Sequence, residues 1–135
     1  MTSGYSGTPL GKKLSLKDGM RVWFDGMPDG VRAEIDGYGL TLIEETTASP
    51  GLNAAHIFCT ERAMMEKQLT ALRGQIDPAG QVWVSWPKKA SKVPTDISEN
   101  IIREICLPMG FVDIKICAVD AIWSALKLVI RKELR

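Results

Sequence analysis

The part of the sequence that most limits the fold is a pair of alternating stretches at its C-terminal end. Residues 111–119 and 123–133 each alternate apolar with polar side chains, as a β-strand with one solvated face does. Only Asp120, Ala121 and Ile122 lie between them, and so short a link cannot form the crossover that parallel strands require. The two stretches are therefore predicted to form an antiparallel pair of strands.

Upstream of this pair, apolar runs typical of strands alternate with segments of helical periodicity. Residues 54–59 are an apolar run, and Thr60 is expected to cap the helix that follows. Asp77-Pro78-Ala79-Gly80 should end that helix before a second strand at residues 81–86, and a further helix is expected where Asp96 and Glu99 have capping-box spacing. The residues spaced to face the core in these two helices are Met65, Leu69, Leu72, Ile76, Ile97, Ile101, Ile105 and Met109.

The N-terminal third has shorter and less regular segments. Residues 1–8 are small and polar and are predicted to form a flexible lead-in, while Thr8-Pro9 signals the start of a helix, with Thr8 as its cap. Strands are predicted at residues 21–25 and 40–44, with a helix within residues 28–36. Residues 9–135 are then one domain, an α/β three-layer, Rossmann-like fold whose sheet is mostly parallel with an antiparallel C-terminal strand.

Charge and composition exclude several classes of protein. Seventeen basic residues against sixteen acidic ones give a net charge of +1, so no global field favours nucleic acid. No apolar run approaches the ~20 residues that cross a bilayer, so no membrane is expected as a partner, and we expect a cytoplasmic protein. Cys59, Cys106 and Cys117 lie in apolar stretches at spacings that do not suit a zinc site, which indicates buried thiols and no metal.

No combination of residues in the sequence points to nucleophilic catalysis. His56 and Cys59 are three positions apart in a predicted strand, so their side chains should lie on opposite faces of the sheet. Ser85 has no histidine near it in the sequence, and His56 is interpreted as a packed core residue. Asp120, which follows the last parallel strand, is the candidate for a general base by position alone.

Two resemblances to known families add to this interpretation. Residues 55–133, with the turn Ile76-Asp77-Pro78-Ala79-Gly80 before Val82-Trp83-Val84-Ser85, resemble the C-terminal half of a Rossmann-like, class I methyltransferase. Over nearly its full length the chain also resembles a family of small bacterial proteins of unknown function, through residues 4–10, 84–91, 112–115 and 123–131. The first resemblance implies a site for S-adenosylmethionine (SAM), and the second does not point to any particular activity.

The sequence departs from a methyltransferase in its N-terminal half. The turn after the first predicted strand, residues 25–30, lacks a G-x-G core, and Pro28 removes a backbone donor. Residues 26–54 are too few for the strands and helices that methyltransferases place there, so one strand–helix unit is expected to be missing. Glu44 follows Asp25 by 19 positions, close to the spacing of a ribose-binding acid, although a solvated acid at a strand end explains it equally well.

Ligands of open parallel sheets bind at the carboxyl ends of the strands, where the strand order reverses. This rule predicts that several residues that follow strands meet along one edge. The candidate ligand-binding residues are Gly26, Asp29, Glu44, Thr60, Ser85, Trp86, Lys88, Lys89 and Trp123.

The loop at residues 87–96 is the most informative of these segments. Lys88, Lys89 and Lys92 occur there without an acid and lead to a helix N-terminus, an arrangement that suits a small anion. A solvated lysine loop explains the pattern as well, and Asp96 would already occupy the positive end of the helix. Trp86 and Trp123 could stack on a ligand ring or close the core.

These patterns predict a non-catalytic Rossmann-like module that binds a small anionic ligand or a partner at the carboxyl edge of its sheet. One alternative is a SAM-dependent methyltransferase with a reduced cofactor site. Another is a structural subunit that dimerises through an exposed strand edge at residues 40–43. The oligomeric state itself has no signal in the sequence.

Overall fold

The structure is a computed structural model that describes residues 7–135, so most of the predicted N-terminal lead-in lies outside the described residues. Six strands and four α-helices follow each other along these residues. The strands are β1 (Arg21–Asp25), β2 (Ile43–Glu44), β3 (Leu52–Phe58), β4 (Ile76–Pro87), β5 (Phe111–Ala118) and β6 (Trp123–Ile130). The helices are α1 (Leu10–Lys13), α2 (Asp29–Gly37), α3 (Arg62–Arg73) and α4 (Glu99–Cys106).

The six strands form one sheet in the order β2-β1-β3-β4-β6-β5. Strands β1 to β4 pair in parallel, whereas β6 lies antiparallel between β4 and β5. This arrangement confirms the predicted fold class and the antiparallel C-terminal pair. The strand order reverses between β1 and β3, which is where a ligand is expected in such a sheet.

Helices cover both faces of the sheet, because its strands are apolar on both faces. Leu10, Leu14 and Val31 of the α1–α2 side pack with Val22 and Trp83 in one buried cluster. The α3–α4 side forms the second cluster, whose buried residues include Ile57, Met65, Leu69, Val84, Ile102 and Ile105. The three-layer arrangement follows from these two clusters. Within residues 7–135, no helix is long and apolar enough to span a membrane.

The predicted strand at residues 40–44 is shorter in the structure. Of residues 40–44, only Ile43 and Glu44 pair with β1, at Arg21 and Val22. Leu40 and Leu42 pack against the apolar cluster beneath α2. Because two residues offer little edge, this strand gives no support to the predicted dimerisation site at residues 40–43. The other edge strand, β5, is longer. A bulge shifts its register between Asp113 and Lys115, and Ile114 and Ile116 on it are exposed.

The turn Asp77-Pro78-Ala79-Gly80 interrupts β4 rather than preceding it. Ile76 pairs with Leu52 and Gln81 pairs with Ala54, so the turn bulges out of a continuous strand. A side chain at Gly80 would lie 2.9 Å from the carbonyl oxygen of Asn53, which explains the glycine.

The predicted capping of three helices is corrected. Pro9 rather than Thr8 is the N-cap residue of α1. Ser98 caps α4, its hydroxyl accepting a hydrogen bond from the N–H of Ile101 at 3.2 Å. Asp96 instead accepts a hydrogen bond from the N–H of Arg62, at the start of α3, over 2.6 Å. Asp96 is available to α3 because the loop before α4 passes over the N-terminus of α3, where Thr60 was expected to act as the cap.

Candidate functional site

The carboxyl ends of the central strands meet along one edge of the sheet, here called the carboxyl edge. Asp25 pairs with Ile57, Phe58 pairs with Ser85, and Pro87 pairs with Trp123. Three predicted segments therefore lie at this edge, as the sequence indicated. They are the turn with Gly26 and Asp29, Thr60 after β3, and the loop at residues 87–96 after β4, here called the lysine loop.

A short chain of hydrogen bonds joins the ends of β1 and β3. The amide Nε2 of Gln68, on α3, donates to Asp25 Oδ2 over 2.5 Å, and the Cys59 thiol donates to Gln68 Oε1 over 3.2 Å. Burial and the nearby Asp25 carboxylate raise the pKa of Cys59 to about 12, so the thiol stays protonated and unreactive. Sequence reasoning missed Gln68, although a polar residue beside the stripe of Met65, Leu69 and Leu72 was a signal.

The backbone after β1 approaches β3 closely. Gly26 has a φ of +68°, and a Cβ there would lie 3.2 Å from the carbonyl oxygen of Phe58. Asp29 and Glu61 are exposed and flank this point, while Asp25 is half-buried. The ends of β1 and β3 therefore present carboxylates.

Glu44 does not reach the carboxyl edge, which corrects the expectation from its spacing. It pairs with Val22, three residues before the end of β1, because β2 is only two residues long. Its carboxylate oxygens accept two hydrogen bonds from the Arg32 guanidinium, each of 2.8 Å. The hydrogen bonds from Arg32 lower the pKa of Glu44. Glu44 thus cannot serve as a ribose-binding acid in this arrangement.

Ser85 is fully buried under the edge rather than open to it. Its Oγ lies 2.7 Å from Nε2 of His56, a partner that sequence distance concealed. The His56 ring stacks on Phe58 with 4.3 Å between the ring centroids, and burial lowers the histidine pKa to about 3. Both side chains are enclosed, so the pair is structural, in agreement with the interpretation of His56 as a packed residue. His56 and Cys59 belong to opposite faces, as predicted.

The two tryptophans at the edge have different surroundings. Trp86 is 8% exposed and packs in the α3–α4 cluster, so it mainly closes the core. Trp123 is half-buried and meets the Phe58 ring edge-on, with 5.2 Å between the centroids. Only Trp123 therefore retains a face near solvent.

One part of the lysine loop is held by a hydrogen bond within the protein, and another part is exposed. The Lys88 N–H donates to the carbonyl of Ile122, whereas Lys89 is exposed beside a cleft of about 300 Å³. The cleft is lined by Trp86, Pro87, Lys89, Thr95, Ile97 and Ser98. The α4 N-terminus beside it already has the Ser98 cap and the carboxylate of Glu99, which is bonded to Arg103. An anion at this cleft stays a prediction.

Asp120 stabilises a turn, a role that its position in the sequence did not indicate. Its Oδ1 accepts hydrogen bonds from the N–H groups of Ile122 and Trp123, at 2.8 and 2.7 Å, and so forms the β5–β6 turn. A carboxylate used in this way is poorly placed to take a proton from a substrate. Within residues 7–135, no group of three or more histidine, cysteine or acidic side chains is arranged to hold a metal.

Solved structures show what this arrangement is similar to. A SAM-dependent methyltransferase from Aquifex aeolicus has a TM-score of 0.61 at 17% identity, covering 88% of this chain and 86% of that chain. Magnesium protoporphyrin IX methyltransferase from Synechocystis, with bound SAM, has 0.58 at 11% identity, covering 90% and 74%. The fibrillarin pre-rRNA processing protein of Methanococcus jannaschii has 0.53 at 9% identity, covering 91% and 69%.

The fold is that of the class I methyltransferases. The sheet has six strands in this order, with β6 reversed. That a strand–helix unit is missing after β2 stays a prediction. No protein-family model and no curated protein matches the sequence. The resemblance to a small bacterial family therefore stays a prediction.

Proposed function

We propose that this chain is a reduced methyltransferase-fold protein that binds SAM at the carboxyl ends of β1 and β3. The observation that carries the proposal is the position of Asp25, a half-buried carboxylate directly at the point where the strand order reverses. The methyltransferases of the same fold support the choice of ligand.

The residues at this point fit part of SAM. SAM has a positive sulfonium and a positive amino group, and the carboxylates of Asp25, Asp29 and Glu61 lie at the edge that would receive them. Asp25 Oδ2 is bonded to Gln68, which fixes the side chain, and Oδ1 makes no hydrogen bond within residues 7–135.

The contacts to SAM that the site lacks determine how tightly we expect SAM to bind. Glu44 lies three residues short of the edge, and Pro28 has no N–H, so neither a ribose acid nor a full set of backbone donors is present. We therefore infer weak binding. When bound, SAM supplies an electrophilic methyl group. Asp120, the candidate for a general base, is held in its turn by two hydrogen bonds and is not available as a base. A non-catalytic protein, or transfer to a substrate that is already nucleophilic, fits this arrangement.

Titration calorimetry with SAM and with its demethylated product tests the proposal. Asp25→Asn keeps the acceptor for Gln68 but removes the charge, and should weaken SAM binding about tenfold, the effect of one charged hydrogen bond. The product lacks the sulfonium charge and should lose less affinity on this substitution.

Asp36→Asn, at the far end of α2, is the matched control because it makes the same change in an exposed residue away from the edge. It should leave SAM binding unchanged. No heat from either compound at millimolar concentration would refute the proposal, as would equal weakening by Asp36→Asn.

A further inference from the structure

One cavity lies at the opposite end of the sheet from the carboxyl edge. It measures about 580 Å³, within the ~300–1,000 Å³ range of small-molecule pockets. Lys12, Lys17 and Lys127 line it together with Ser15, Tyr38 and Gln81, and no acidic residue is among the described residues of its wall. We call it the basic cavity.

The wall of the basic cavity is held rigidly by the segment that follows α1. The carbonyl of Leu14 accepts hydrogen bonds from Gln81 Nε2 at 2.7 Å and from Trp83 Nε1 at 2.9 Å, both from β4. This anchors the next residue, Ser15, in the left-handed region with a φ of +57°. Such a conformation costs free energy in a residue other than glycine, and it often marks a place where a side chain must point in a set direction.

Ser15 directs one of the lysines. Its hydroxyl accepts a hydrogen bond from Lys127 Nζ over 3.2 Å, and the same ammonium lies 6.0 Å from the centroid of the buried Trp83 ring. Burial, followed by the charges of Lys115 and Lys17, lowers the pKa of Lys127. The lysine is thus held at a position where desolvation and like charges both oppose its charge.

The lysines of the basic cavity are not paired with carboxylates in the part of the chain that the structure describes, although Asp18 and Asp77 line a neighbouring pocket that shares Lys17. The ion pairs along residues 7–135 are made by Arg21, Arg32, Arg62, Arg103 and Arg131, and none of the cavity's three lysines takes part in one. Three ammonium groups that line one cavity without an ion-pair partner repel each other, and an anion bound between them would relieve that repulsion.

We propose that the basic cavity binds a phosphorylated small molecule that carries two or more negative charges. The ammonium groups of Lys12, Lys17 and Lys127 supply the counter-charge, and the apolar side of the cavity at Leu16 and Met20 receives the rest of the molecule. The site is separate from the carboxyl edge, so it does not depend on SAM binding.

Calorimetry of the full chain with inorganic pyrophosphate tests this site. Lys12→Ala combined with Lys17→Ala removes two exposed charges that make no contact needed for folding, and should weaken pyrophosphate binding at least tenfold. Lys127→Met keeps the alkyl part of the side chain over Trp83 and should weaken pyrophosphate binding similarly. A thermal melt confirms that this variant folds. Lys67→Ala combined with Lys132→Ala, elsewhere on the surface, should leave it unchanged.

The other outcomes decide against the proposal. Pyrophosphate that does not bind at low salt, or that binds equally well to the Lys12→Ala, Lys17→Ala variant, excludes the site. A loss confined to Lys88→Ala with Lys89→Ala would assign the anion to the cleft at the carboxyl edge instead. A single-stranded oligonucleotide that binds much more tightly than pyrophosphate would make the cavity part of a nucleic-acid surface and refute the small-molecule assignment.

Discussion

The two ends of the sheet use their charged groups in opposite ways. At and below the carboxyl edge several polar groups bond to one another: Asp25 to Gln68, Glu44 to Arg32, Asp96 to the N–H of Arg62. At the basic cavity, Lys12, Lys17 and Lys127 converge, and no carboxylate is among the described residues of the wall. A fold can therefore keep the shape of a ligand-binding edge while its side chains stabilise the protein, and can place uncompensated charge at the other end.

The largest expected effect concerns His56, which lies just beneath the carboxyl edge. Its native pKa of about 3 is below the ordinary 6.5, so between these pH values the unfolded chain binds a proton that the native protein excludes. Stability should thus rise with pH across this range, by up to about 1.4 kcal/mol per pH unit from this residue. Denaturant unfolding gives the free energy of unfolding of the wild type and of His56→Gln at each pH. The difference between their slopes against pH is the contribution of His56.

That difference tests whether the interior beneath the carboxyl edge is closed to solvent. Carboxylates contribute equally to both proteins and cancel, so His56→Gln should flatten the curve between pH 4 and 6.5 only by the histidine contribution. Parallel curves would mean that solvent reaches His56 in the native protein. The Ser85–His56 pair would then be accessible, contrary to the contrast drawn between the two ends.

A smaller effect is expected when the edge loses one internal bond. Asp96→Ala removes the acceptor for the first N–H of α3 and should lower the free energy of unfolding by about 1 kcal/mol. Asp36→Ala, an exposed acid without this contact, serves as the control and should change it by less than about 0.5 kcal/mol. Equal effects would show that the carboxylate of Asp96 contributes nothing to α3.

Much of the fold follows from the sequence because long apolar runs and short links leave few arrangements. The three-residue link at Asp120 fixed the antiparallel pair, and residues 54–86 indicated a parallel strand–helix–strand unit. Short segments were less determined: residues 40–44 have strand-like composition, yet Leu40 and Leu42 satisfy their burial without pairing. Local signals also misassigned Asp96, since a cap can come from another part of the chain.

The sites were harder to predict than the fold because their contacts cross long sequence distances. His56 and Ser85 are 29 positions apart, and Ser15 and Lys127 are 112 apart, so no local motif joins them. The lysine loop at Lys88 drew attention because its charges are adjacent in sequence. The lysines of the basic cavity converge only after α1, β6 and the loop before β1 have packed together.

The smallest expected effect has the opposite sign and comes from the basic cavity. Lys17→Gln removes one of its exposed, unpaired charges, so at low salt it should leave stability unchanged or raise it by about 0.5 kcal/mol or less. Any gain should vanish at high salt, where repulsion between lysines is screened, whereas Lys67→Gln on α3 should show no salt-dependent gain. Denaturant unfolding at two salt concentrations measures both variants. A loss of stability in Lys17→Gln alone would mean that Lys17 has a partner within the protein. The cavity would then lack the unpaired charge on which its proposed anion binding depends.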